Sequence, residues 1–119
     1  MTDEVLVRGL ICFEPASPPF EEADIWVRLE DVSDADASGR IVAEHLMHGV
    51  SKPEGSCSVP FMLRSEASLE SRRHYSVRVH VDVGRSGRVR LGDFVSTQAY
   101  PVRAGDEPRD LEILVRRVE

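Results

Sequence analysis

The strongest constraint on the fold is a period of two in the hydrophobic residues of two separate segments. In Asp24–Asp31, the apolar residues Ile25, Val27 and Leu29 alternate with Trp26, Arg28 and Glu30. In Tyr75–Val83, every odd position is Tyr or Val and every even position is polar or charged. Alternation of this kind places the two sets of side chains on opposite faces of a β-strand. Both segments therefore predict strands with one face in the core.

Shorter apolar segments bounded by turn residues predict five further strands, at Val5–Phe13, Arg40–Met47, Val59–Arg64, Val89–Thr97 and Leu111–Val118. Two glycines in Gly84–Arg88 predict a tight hairpin before the sixth strand. A single helical turn fits only Glu66–Arg73. Seven short strands with almost no helix predict one domain over residues 1–119, a seven-stranded antiparallel β-sandwich. A small β-barrel needs the same alternation and is the alternative.

Composition limits the classes of function that remain. The formal net charge of −6 argues against general affinity for nucleic acid, which requires a basic face. No apolar run approaches the length of a transmembrane helix, and the first residues lack the basic start and apolar middle of a signal peptide. We therefore expect a cytoplasmic protein, or a periplasmic or envelope protein if an export signal was removed.

Several segments in the same order resemble one family. They are VRGLICF, IWVRLEDVSDADASGRIVAEHL, VPFMLR, SRRHYSVRVHVDVGRSGRV and STQAYPVRAG. Together they resemble the YbaY/YscW-like family, small β-sandwich lipoproteins of bacterial envelopes that include chaperone-like pilot proteins of type III secretion. The resemblance implies an immunoglobulin- or transthyretin-like sandwich that binds other proteins. It does not extend to the lipid-carrying cysteine, because Ile11 precedes Cys12 inside the first predicted strand.

No catalytic, cofactor or metal site is predicted. The histidines are His45, His48, His74 and His80, and their spacing along strands predicts four unclustered, exposed or half-buried residues. No serine lies in a nucleophile-elbow motif, so we expect no enzyme activity and no cofactor. Cys12 and Cys57 are interpreted as free thiols, with a single disulfide as the alternative.

One short segment resembles a calcium loop. Asp34–Gly39 carries alternating oxygen donors followed by glycine, but His45 occupies the position where such a loop places a bidentate Glu. We therefore expect a solvated turn that does not bind calcium.

The best candidate for a functional surface is Trp26 with Arg28 and Arg78. These residues lie on the strand faces opposite the predicted core, and tryptophan with arginine is typical of interface hot spots. The alternative is that the loop at Pro18–Phe20 covers Trp26. We predict an unidentified protein partner, or a second copy of the chain, at this face. The rival hypothesis, a small-ligand or carbohydrate-binding module, requires a deep pocket lined by aromatic residues.

Overall fold

The fold is all-β in the computed structural model, which describes residues 4–34, 39–55, 57–65, 68–105 and 109–119. The strands are β1 (Glu4–Phe13), β2 (Phe20–Asp31), β3 (Arg40–Lys52), β4 (Cys57–Ser65), β5 (Tyr75–Asp82), β6 (Phe94–Ser96), β7 (Pro101–Val102) and β8 (Arg109–Arg117). Those residues contain no helix. The all-β prediction is therefore confirmed.

All eight strands belong to one mixed sheet, ordered β3-β2-β5-β6-β8-β1-β4, with β7 paired to β5 beside this path. The first and last strands pair in parallel, so that Ile11 of β1 lies opposite Ile113 of β8, and the other ladders are antiparallel. The path curls until its end strands β3 and β4 come into contact. This nearly closed barrel corrects the predicted antiparallel sandwich, and the small-barrel alternative fits it.

The core fills the inside of the curled sheet with the inward residues of the long strands. The row predicted from β5 is confirmed, since Tyr75, Val77, Val79 and Val81 are buried. Three phenylalanine rings close one part of the core, where the centroid of Phe13 lies 5.7 Å from that of Phe20 and 5.1 Å from that of Phe94. Burial of these side chains is the main source of stability, because apolar burial contributes roughly 25 cal/mol per Å².

The predicted strand at Val89–Thr97 is wrong over its first half. Only Phe94–Ser96 forms β6, and residues 84–92 form a loop rather than a tight hairpin. Gly92 has a φ of 91°, a left-handed conformation that interrupts an extended strand just before β6. Leu91 is 78% exposed, so its alternation with Val89 does not reflect a core face.

The connection before β5 contains turns instead of the predicted helix. Residues 66 and 67 of that segment lie outside the described part, and residues 68–73 are not helical. The Tyr75 hydroxyl accepts a hydrogen bond from the Glu70 amide at 2.9 Å, which fixes this turn to the start of β5. Asp31 at the end of β2 accepts hydrogen bonds from Ser33 and Arg73, which lower the pKa of its carboxyl to about 2.

Candidate partner-binding surface

The structure brings the three predicted site residues together on the outer face of the barrel. In the β2–β5 ladder, Arg28 lies directly opposite Arg78, and Trp26 lies opposite His80. Their neighbours in each strand, such as Val27 and Val79, point inward and are fully buried. The face formed by Trp26, Arg28 and Arg78 is called the Trp–Arg surface below.

Trp26 is partly covered by a neighbouring side chain of its own strand. The Arg28 guanidinium carbon lies 4.7 Å from the centroid of the indole ring, within the range of a cation–π interaction. Arg28 Nε donates a 2.6 Å hydrogen bond to Glu44 Oε2 on β3, which holds the guanidinium in this position. Arg28 therefore lies over the ring, and Phe20 of the Pro18–Phe20 loop packs in the core against Phe13.

The indole nitrogen of Trp26 is unusual. Nε1 is buried and has no hydrogen-bond partner within the described residues. Buried donors are almost always paired, and an unpaired one costs about 1–3 kcal/mol. A hydrogen-bond acceptor supplied by another molecule would remove this cost.

Arg78 is the more accessible cation of the surface. Its side chain is 68% exposed, and its Nε lies 3.6 Å from Glu30 Oε1, a distance that indicates a weak, solvent-screened ion pair. Arg28 is tied to Glu44, whereas Arg78 can turn toward an incoming carboxylate at little cost. The Trp–Arg surface thus combines one fixed and one adjustable guanidinium around an aromatic ring.

A second candidate lies on the opposite wall of the barrel, and the sequence interpretation missed it. An open cleft of about 580 Å³ is lined by residues of β1, β4 and β8. Leu10 and Met62 are 38% and 37% exposed there, and an Arg8–Asp110 ion pair of 2.7 Å lies at its edge. The available signal was apolar residues at outward positions, where alternation predicts polar ones. Its lining contains one aromatic residue, the buried Phe61, so it does not resemble the aromatic pocket that a carbohydrate module requires.

One histidine departs from the prediction that all four are exposed or half-buried. His80 is buried beside Asp82 and Asp93, and the potential ligand atoms of the three residues all lie within 4.8 Å of one another. His80 Nε2 donates to Asp93 Oδ2 at 2.8 Å. The sequence signal was an aspartate at each end of a glycine-rich connection, a position where carboxylates commonly bind backbone amides.

The oxygens of this cluster are already used by the connection between β5 and β6. Asp82 accepts hydrogen bonds from the amides of Ser86 and Gly87, and Asp93 accepts from those of Val83 and Arg90. Each carboxylate oxygen therefore has at least one N–H donor. This arrangement anchors a loop, and nothing in it points to an ion. The calcium-like motif cannot be compared in the same way, because residues 35–38 lie outside the described part.

Neither cysteine is arranged for chemistry. Both thiols are free, and they cannot pair with each other in this fold because Cys12 faces outward whereas Cys57 lies opposite inward-facing Phe13. Partial burial, with the nearby Glu112 carboxylate, raises the pKa of the Cys12 thiol. A raised pKa keeps the thiol protonated and unreactive at neutral pH.

Comparison with known proteins decides the family. Residues 3–113 match the family model described as "Type III secretion system lipoprotein chaperone (YscW)". The chain belongs to the YscW family. The family match confirms the resemblance stated from the sequence. No curated protein matches the chain at the sequence level.

A solved structure supports the fold of this YscW family member. The chain is similar to an alternative pilotin from the type II secretion system of Vibrio cholerae, with a TM-score of 0.74 at 20% identity. The match covers 99% of each chain, so the entire barrel is shared. Among the described residues there is no helix of the length and hydropathy needed to cross a membrane.

Proposed function

We propose that this YscW family member is a non-enzymatic, chaperone-like domain that binds a protein partner through its Trp–Arg surface, in a secretion-related role in the cell envelope. The family description supports a chaperone role, and the similar solved structure is a pilotin. Both descriptions support a partner that is itself a protein.

The observation that carries the proposal is the unpaired indole N–H of Trp26, whose ring lies against the Arg28 guanidinium. A carbonyl or carboxylate oxygen of a partner that reaches the edge of the indole ring, where the N–H lies, can accept this hydrogen bond. Binding then removes the cost of a buried unpaired donor and covers the indole more completely. Tryptophan and arginine at the centre of a contact are the residue types that contribute most to binding energy.

The charges of the surface define the kind of partner. Arg28 and Arg78 lie side by side across the β2–β5 ladder, and among the described residues Arg28 pairs with Glu44 and Arg78 with Glu30. A partner segment with acidic or carbonyl groups next to an apolar side chain complements two guanidinium groups and an indole. Guanidinium groups also favour paired hydrogen bonds to carboxylates, which adds specificity.

The side-chain arrangement gives no support to an enzyme. Within the described residues, no serine hydroxyl or cysteine thiol is hydrogen-bonded to a histidine ring. The buried His80 and Asp93 pair with each other and with the loop, so neither is a free acid or base beside the Trp–Arg surface. A binding role therefore accounts for the exposed features better than catalysis does.

Co-purification tests the proposal. Tagged wild-type chain, Trp26→Ala and Arg78→Ser are expressed in the source cell, and the proteins retained with each are compared by quantitative mass spectrometry. We expect Trp26→Ala to reduce retention of the partner on the order of tenfold or more, as hot-spot truncation does. Arg78→Ser should give a smaller loss, because its guanidinium is more exposed.

The matched control is Arg72→Ser, which removes an exposed arginine from a loop outside the Trp–Arg surface. It should leave retention unchanged. A second copy of the chain as the partner would appear as a dimer by light scattering that Trp26→Ala dissociates. Unchanged association of Trp26→Ala with every retained protein, and with itself, would show that the proposed surface is wrong.

A further inference from the structure

The loop of residues 84–92, called the basic loop below, exposes the two most accessible large apolar side chains of the described residues. Leu91 is 78% exposed and Val89 is 54% exposed. Both line an open depression with Val118 from the C-terminal end of the chain. Single exposed aliphatic residues are common, but two in one short loop beside a third form a local apolar tip.

Arginine surrounds this apolar tip. Arg85, Arg88 and Arg90 are exposed, and within the described residues none of their guanidinium groups pairs with a carboxylate. The carboxylates at the two ends of the loop, Asp82 and Asp93, are buried and bound to backbone amides. The basic loop is therefore locally positive although the chain carries a net charge of −6.

The basic loop is held in place by the rest of the barrel. The Asp82 and Asp93 carboxylates bind four of its amides or those beside it, and Asp93 is itself fixed by buried His80. Backbone hydrogen bonds from Gly92 to Val118 and from Val118 to Asp93 tie it to the chain end. An anchored loop loses little conformational freedom on contact with another surface, which favours binding.

We propose that the basic loop docks this protein on a membrane surface that carries anionic phospholipid headgroups. Arg85, Arg88 and Arg90 contact headgroup phosphates, and Leu91 and Val89 enter the boundary between headgroups and acyl chains. Basic residues near an anionic membrane and shallow insertion of apolar side chains are the two forces that drive reversible interfacial binding. The basic loop adjoins the Trp–Arg surface, because Asp93 at its end bonds His80, which lies opposite Trp26. The proposal rests on other residues and does not depend on that surface.

The size of the tip favours a membrane over a protein partner. A stable protein interface buries about 800 Å² on each side, far more than two aliphatic side chains at a loop provide. A membrane needs no complementary pocket, since it offers anionic groups above an apolar layer at every point. An acidic protein that takes the same loop is the competing outcome of the test.

The test measures co-sedimentation of the full chain with vesicles. Vesicles of phosphatidylcholine mixed with phosphatidylglycerol should bind the protein, whereas phosphatidylcholine alone should bind it much more weakly. Binding should fall as salt is raised, because salt screens exposed charges. Replacing the three loop arginines by serine should weaken binding on the order of 100-fold, at roughly fivefold per arginine.

Two controls separate the loop from net charge. The triple variant R40S/R64S/R72S removes the same charge from exposed positions elsewhere and should bind nearly as wild type does. Leu91→Ser should weaken binding without changing its salt dependence. Ile41→Ser, at another exposed aliphatic residue, should leave binding as strong as in the wild type. The loop variants should melt at the wild-type temperature, which excludes misfolding as the cause of weaker binding.

Absence of binding to anionic vesicles, or an equal loss in the two triple variants, would overturn the proposal. It would also be overturned if the loop variants abolished association with an acidic protein while vesicle binding was unchanged.

Discussion

Replacement of Gly9 by alanine should destabilise the barrel by about 3 kcal/mol, at the upper end of the usual cost of overpacking. A Cβ atom at this position would overlap the backbone oxygen of Leu111 on the neighbouring strand β8. The obstructing atom belongs to the backbone, so it cannot turn aside as a flexible side chain can. The parallel β1–β8 pairing, which joins the two halves of the sheet, must therefore open locally.

Thermal and denaturant unfolding measure this effect, with an expected fall in melting temperature on the order of 10 °C for a chain of this size. Gly84→Ala is the matched control, because no atom lies within 4 Å of the added Cβ and its φ is not in the left-handed region. Equal stability of the two variants would mean that β1 and β8 are not neighbours in the way described.

Replacement of Asp93 by alanine should cost about 3 kcal/mol as well, for a different reason. The change leaves the amides of Val83 and Arg90 and the ring of His80 without their acceptor, and buried unpaired groups cost about 1–3 kcal/mol each before relaxation. Denaturant unfolding measures the loss, and hydrogen exchange should show faster exchange of the Val83 and Arg90 amides.

Asp110→Ala is the control for charge, since Asp110 forms an exposed ion pair with Arg8 that should contribute little. Its effect should remain within about 0.5 kcal/mol. If Asp93→Ala were as mild as Asp110→Ala, the buried cluster would not be what anchors the basic loop.

The long strands were predictable because one face of each is buried. Ile25, Val27 and Leu29 in β2 alternate with polar residues, and the structure buries them as the pattern requires. The arrangement of the strands was not predictable in the same way, since alternation gives an inward face but not the neighbour of each strand. The parallel pairing of Ile11 with Ile113 spans nearly the whole sequence and leaves no local signal.

The outer face shows the same limit. Alternation placed Trp26 and Arg28 outside the core, and the β2–β5 register then brought Arg78 beside them. The burial of His80 could not be read from alternation, because it depends on a loop that folds over the outer face and is held by Asp93. Leu91 caused the opposite error. It continues the alternation of a strand in the sequence, but it is exposed in a loop whose backbone does not form that strand.

Fluorescence of Trp26 reports on binding at the Trp–Arg surface alone, because Trp26 is the only tryptophan in the chain. The retained partner, or a tryptophan-free fragment of it, is titrated into the protein while emission and acrylamide quenching are recorded. We expect a shift of emission to shorter wavelength and reduced quenching on binding, and Arg78→Ser should require more partner for the same change. If emission and quenching stay constant while light scattering shows that the complex forms, Trp26 does not lie in the contact.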